Sequence, residues 1–147
     1  MRTMIVAMAV VGLLAAGPAF AQGKEWNQEE VSGLVDEFVA ALGKVQVEAR
    51  KTDNVRSDQA RDYVLEDLSL LRKNSRKLSQ ELRAGNDRAA SWPRAKRCER
   101  LITRTRANAK DAMLTPANSA SIDRANELIA QIGEYYVEPD VAAPPSD

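Results

Sequence analysis

Apolar residues recur at alternating steps of four and three through most of this chain, the pattern of helices that each turn one face to a core. The first stripe is Val31, Val35, Phe38, Leu42, Val45 and Ala49, widened by Leu34. Asn27 stands at the cap position, Glu30 completes a capping-box-like pair, and Trp26 can staple onto Val31. Gly43 interrupts the stripe at a cost of about 1 kcal/mol relative to alanine, which leaves room for a kink or an early end there. The helix is expected to fade near Lys51. The second stripe, Val64, Leu68, Leu71, Ser75, Leu78 and Leu82, runs from a cap at Ser57 to Gly85, with Asp58 at the positive end of the helix.

The third helix begins between Asp87 and Pro93, with Ser91 as a candidate cap. Its stripe is Ala95, Cys98, Ile102, Thr105, Ala109 and Ala112, flanked by Leu101, and these mostly small residues let a neighbour approach closely. Thr115-Pro116 breaks the chain and starts a fourth helix carrying Ile122, Ala125, Ile129, Ile132 and Tyr136, with Leu128 alongside. No strand pattern and no internal repeat interrupts this series. Helices of about 20 to 28 residues joined by short loops predict an all-α fold, an up-and-down antiparallel four-helix bundle with shallow left-handed crossings. At 1.5 Å per residue it would be roughly 35 to 40 Å long. A long hairpin of the second and third helices that dimerises is the alternative.

The two ends of the chain depart from this pattern. Arg2, an apolar run from Met4 to Leu14 and Pro18-Ala19-Phe20-Ala21 have the build of a secretory signal peptide; the run before Pro18 falls short of the about 20 apolar residues a membrane anchor needs. Residues 1–21 are therefore read as a signal peptide, 22–137 as the helical bundle domain and 138–147 as a disordered, acidic, proline-rich tail. The expected location is periplasmic, with membrane contact only before signal cleavage.

Charge changes the picture. From Arg72 to Arg106 the chain holds twelve basic and three acidic residues, a formal charge of +9, whereas 22–71 and 107–147 each carry −5. Ala84-Gly85-Asn86-Asp87 is a tight turn inside this stretch, so it reads as a basic helical hairpin. The up-and-down order brings its tip to the acidic start of the first helix (Glu25, Glu29, Glu30, Asp36, Glu37) and to the end of the fourth helix and the tail (Glu127, Glu134, Glu138, Asp140). Two readings follow: the outer helices neutralise the hairpin, or the hairpin presents an exposed surface to an anionic partner. Trp26, Trp92, Tyr135 and Tyr136 gather at the same end beside Arg88, Arg94 and Arg97. Arginine with tryptophan and tyrosine is the composition of a binding hot spot, and equally of a plug closing the core.

The chain has no histidine and one cysteine. The commonest general base and transition-metal ligand is thus missing, together with any histidine-held haem. Cys98 lies on a core stripe, where it is an inert buried thiol, an intermolecular thiol linking a homodimer, or a redox-active thiol whose thiolate Arg94, Lys96 and Arg97 would favour. Asp58, Asp62 and Glu66 form a ladder on the second helix that suits a solvated face better than a weak calcium site. No phosphate loop, catalytic triad or metal-spaced cysteine set is present, so no catalytic residue, metal site or cofactor is expected. The basic stretch carries no nucleic-acid motif, and nucleic acid is not an expected partner. The sequence thus reads as an exported, non-enzymatic bundle that binds a protein partner or an anionic envelope component through Arg88, Trp92, Arg94, Arg97, Trp26, Tyr135 and Tyr136. The alternative is a structural or assembly protein that self-associates without a small ligand.

Overall fold

The computed structural model describes residues 23–51, 58–112 and 116–137, so the signal-peptide reading, the Ser57 and Thr115 caps and the tail lie outside the described residues. Four helices account for nearly all of the remainder: α1 (Gln28–Lys51), α2 (Asp58–Arg83), α3 (Arg88–Ala112) and α4 (Pro116–Tyr135). There is no strand among the described residues. The helices pack in a ring, α1 on α2, α2 on α3, α3 on α4 and α4 on α1, without diagonal packing among the described residues. Among the described residues no helix is long and apolar enough to cross a membrane.

The stripes read from the sequence form the core. Val31, Val35, Phe38, Leu42, Val45 and Ala49 from α1 meet Val64, Leu68, Leu71, Leu78 and Leu82 from α2, Cys98 and Ile102 from α3, and Ala125, Ile129 and Ile132 from α4. Ser75, polar but on the α2 stripe, is fully buried and returns its hydroxyl to the Leu71 carbonyl at 2.9 Å, which satisfies its donor within its own helix. Ser79 and Asp36 join α2 to α1 at 2.6 Å, and Arg83 adds a second contact to Asp36 at 2.7 Å. Contacts descend one helix as they climb the other: Gln28 reaches Leu82 and Asn86, Asp36 reaches Ser79 and Arg83, and Gln46 meets Arg72.

α1 runs through Gly43 to Lys51, as its stripe predicts; buried Leu42 and Val45 hold it to the core on either side of the glycine, and the Arg72 guanidinium lies 3.6 Å from where a Cβ would stand. One local expectation changes. α3 is capped by Asp87, not Ser91: the Asp87 carboxylate accepts the Ala90 amide at 2.8 Å. The reason is the end of α2. Gly85, at a φ of 90°, closes a Schellman turn in which its amide bonds to the Leu82 carbonyl and the Asn86 amide to that of Glu81. This leaves Asp87 as the first residue able to cap the next helix, with its charge at the positive end of that helix. Ser91 and Pro93 consequently lie inside α3.

Burial by itself would raise the Asp36 pKa, but the Ser79 hydroxyl and Arg83 outweigh it and hold the carboxyl below its usual value. A depressed carboxylate adds stability above its unfolded pKa of about 4, and that stability is lost as pH falls through the folded value. Asp36→Asn is expected to cost about 1 kcal/mol at pH 7, given its partial exposure. In urea titrations the gap from wild type should close toward pH 3; a gap that is constant with pH would show that the charge is irrelevant there.

Candidate functional site

The end of the bundle where α1 begins and α4 finishes is assembled from residues that leave one another little freedom. Gly23 crosses α4 so closely that a Cβ would stand 2.8 Å from the Val137 Cβ and 2.9 Å from its carbonyl oxygen; a side chain there would collide. The Lys24 amide donates to the Glu134 carbonyl at 2.9 Å, and its ammonium pairs with the Glu134 carboxylate at 3.0 Å while lying 5.1 Å from the centre of the Tyr135 ring. Asn27 caps α1 by accepting the Glu30 amide at 3.1 Å. The Glu30 carboxylate instead stands beside the Tyr135 hydroxyl and pushes the pKa of that phenol up, with burial adding to the effect.

Gln28 ties this end to the hairpin tip. Its side-chain nitrogen donates to the Leu82 and Asn86 carbonyls at 2.6 and 3.0 Å, and its oxygen accepts the Trp26 indole N–H at 3.1 Å. The Leu82 carbonyl thus takes a second donor beside the Gly85 amide, and the Asn86 carbonyl lies in the turn between α2 and α3. The Trp26 ring meets Tyr136 edge-on at 5.2 Å, and Trp92 lies 6.0 Å from Tyr136 on the other side. Ser91 is fully buried and donates its single hydroxyl proton to the Asp87 carbonyl at 2.7 Å, so in its 2.8 Å contact with the Tyr136 hydroxyl it must accept. Burial pushes the Tyr136 pKa up to about 12.

The seven residues singled out from the sequence therefore divide. Trp26, Tyr135 and Tyr136 are packed into the end of the core, and Tyr135 and Tyr136 are almost fully covered. Trp92 keeps 39% of its surface exposed and carries the Lys96 ammonium 4.7 Å from its ring centre. Arg94 is held by Glu81 at 2.6 Å, and Arg88 donates to the Val137 carbonyl at 3.2 Å. Arg97 is exposed and makes no hydrogen bond or ion pair among the described residues. Sequence reasoning missed Lys24, Gln28 and Ser91, whose roles depend on which helix end lies opposite, information that no spacing along one helix carries.

The hairpin's charge is compensated differently from the expectation. The outer helices supply Asp36 to Arg83 and Asp123 to Arg106, but Glu37 and Glu127 turn to Arg124 and Glu134 to Lys24. The hairpin draws its other acidic partners from α2 and α3 themselves: Glu81 for Arg94, Glu99 for Lys96, and Asp67 for Arg104. Lys73, Arg76, Lys77, Arg97 and Arg100 are all exposed and have no such partner among the described residues.

Cys98 has no exposed surface; its thiol contacts the Ser75 hydroxyl at 3.6 Å. Burial pushes its pKa up, with lesser opposing effects from Ser75 and Arg94. A neutral thiol sealed in the core is a poor nucleophile, and linking it to a second chain would require the core to open. Asp62 and Glu66 are exposed, and no three acidic or sulfur side chains converge to hold a metal among the described residues. The chain matches no protein-family model, no curated protein and no solved structure.

Proposed function

We propose that this is an exported, non-enzymatic protein, an up-and-down antiparallel bundle freed from a signal peptide, that binds an anionic protein partner or envelope component through its basic hairpin. One observation carries the reading: Lys73, Arg76, Lys77, Arg97 and Arg100 are exposed without acidic partners among the described residues, although the outer helices hold enough carboxylates to have matched them. Charges left this way repel one another and lower stability, and they raise the local concentration and the association rate of an anionic partner. The descending order of contacts between α1 and α2 supports the antiparallel arrangement. A chain without histidine, whose single thiol is buried and protonated, supports a binding role over a catalytic one.

The test is binding to heparin, a soluble polyanion, as salt is raised. Binding at low ionic strength that weakens steeply above roughly 0.1 M, where the screening length falls below about 10 Å, is the expected result. Absence of binding even at low salt would remove the electrostatic reading. A second reading, self-assembly without a ligand, draws on the open cleft of about 460 Å³ between α1 and α4, where Ala40, Ala41, Ala120 and Leu128 offer small and apolar surface. Sedimentation equilibrium separates the two, because only self-assembly makes the mass rise with concentration.

A further inference from the structure

Resting on that reading, we infer that the outer face of the α2–α3 pair is a docking surface for an anionic lipid bilayer, engaged through Lys73, Lys77, Arg97 and Arg100. Two ion pairs bracket this face. Glu81 of α2 meets Arg94 of α3 at 2.6 Å toward the hairpin tip, and Asp67 of α2 meets Arg104 of α3 toward the other end. Lys77 stands one turn from Glu81 and Lys73 one turn further; Arg97 stands one turn from Arg94, and Arg100 one turn from Arg104. The four cations therefore flank the stretch of seam between the two ion pairs. Each is exposed.

Between the two ion pairs no acid is left to neutralise them among the described residues; exposed Glu66, one heptad from Lys73, stands just beyond the Asp67–Arg104 pair. Glu81 is taken by Arg94, and Asp67 by Arg104 and Asn108, while Glu99 faces Lys96 on the α4 side of α3. The composition also decides between kinds of partner. A protein interface has an apolar and aromatic centre from which lysine is depleted, yet this face offers cations with only the half-buried Leu70 between them, and the exposed aromatic Trp92 belongs to the end of the bundle. Tyr63, 56% exposed and two heptads along α2 from Lys77, lies on the same flank; tyrosine is a side chain that settles at headgroup level. A patch of four cations between two ion pairs, with exposed Glu66 separating it from Tyr63, needs no shaped partner. Fluid anionic headgroups gather beneath such a patch, each lysine or arginine adding roughly fivefold to affinity.

The test is co-sedimentation of the full chain with vesicles of about one-quarter phosphatidylglycerol in phosphatidylcholine, beside pure phosphatidylcholine vesicles and soluble heparin. Wild type and variants share the whole chain, so residues 1–21 contribute equally to each. The protein is expected to bind the anionic vesicles more tightly than the neutral ones and to lose that preference as salt rises. Lys77→Gln and Arg97→Gln should each lose roughly fivefold in affinity. Reversing all four cations to glutamate should abolish binding with helical content and melting temperature no lower than wild type, since no ion pair is removed. If the fourfold variant does not fold, the single glutamine variants carry the test. Heparin binding without vesicle binding overturns this inference while the wider reading stands, pointing to an acidic protein or soluble polyanion; loss of both overturns both. A fourfold variant that sediments with vesicles as wild type does also overturns it.

Discussion

Tyr136→Ala is expected to lower stability by about 3 to 5 kcal/mol, the range for emptying a buried aromatic site, and to leave heparin binding unchanged wherever the variant is folded. The ring is 4% exposed, and it is the shared partner of Trp26 at 5.2 Å and Trp92 at 6.0 Å. Its removal opens a hole between the start of α1 and the first turns of α3. Tyr136→Phe keeps the rings and takes away only the hydroxyl that Ser91 accepts, so it should cost about 1 to 2 kcal/mol. The two variants thus separate packing from hydrogen bonding at one position. pH adds a third reading. A phenol whose folded pKa is raised to about 12 contributes stability below its unfolded value of about 10, and this is lost as pH rises toward the folded value. Wild type should therefore lose more stability than Tyr136→Phe between pH 10 and about 12. If Tyr136→Ala melts like wild type but no longer binds heparin, the aromatic cluster is a recognition site and the plug reading fails.

Replacing Asp67 by alanine should cost about 2 to 3 kcal/mol and, in the folded fraction, strengthen binding to anionic vesicles. The carboxylate is 7% exposed and receives Arg104 on one oxygen and the Asn108 amide, at 2.8 Å, on the other. Two such bonds to a charged acceptor are stronger than neutral ones, and they fasten α2 to α3 at the end away from the Schellman turn. Without Asp67, Arg104 joins the unpaired cations one turn beyond Arg100, so affinity should rise by roughly fivefold. Urea denaturation gives the first quantity and vesicle co-sedimentation the second. A double-mutant cycle with Arg104→Ala isolates the pair; a coupling energy near zero would show that Asp67 is held by Asn108 alone.

The four helices were legible in the sequence for a physical reason. Each buries a single face against its neighbours, so the period of 3.6 residues is written into the order of its apolar side chains, down to Ser75 and Thr105 standing in for hydrophobes on the stripes of α2 and α3. Gly85 was equally readable, because a backbone at a φ of 90° strongly favours glycine. Asn27 and Pro116 start their helices as local chemistry requires. The cap of α3 was harder, since Asp87 and Ser91 both qualify by type and only the exact residue on which α2 ends decides between them.

The residue types at the bundle end could be read from the sequence, and their role could not. Arginine beside tryptophan and tyrosine describes a plug and a recognition site equally well. What separates Tyr136, sealed and bonded to Ser91, from Trp92, half open beneath Lys96, is the depth at which each meets its neighbours.

The basic hairpin shows the same division. Its charge of +9 and its turn belong to the sequence alone, because composition and local geometry need no partner. Which cations are spent and which are free is a matter of distance across helix seams. Asp67 and Glu81 reach α3, Asp36 reaches Arg83, and Glu37 and Glu134 turn elsewhere. Only the tertiary structure decides this, since an ion pair requires its two atoms within about 4 Å and residues more than thirty positions apart, such as Asp67 and Arg104, meet only once the helices have packed.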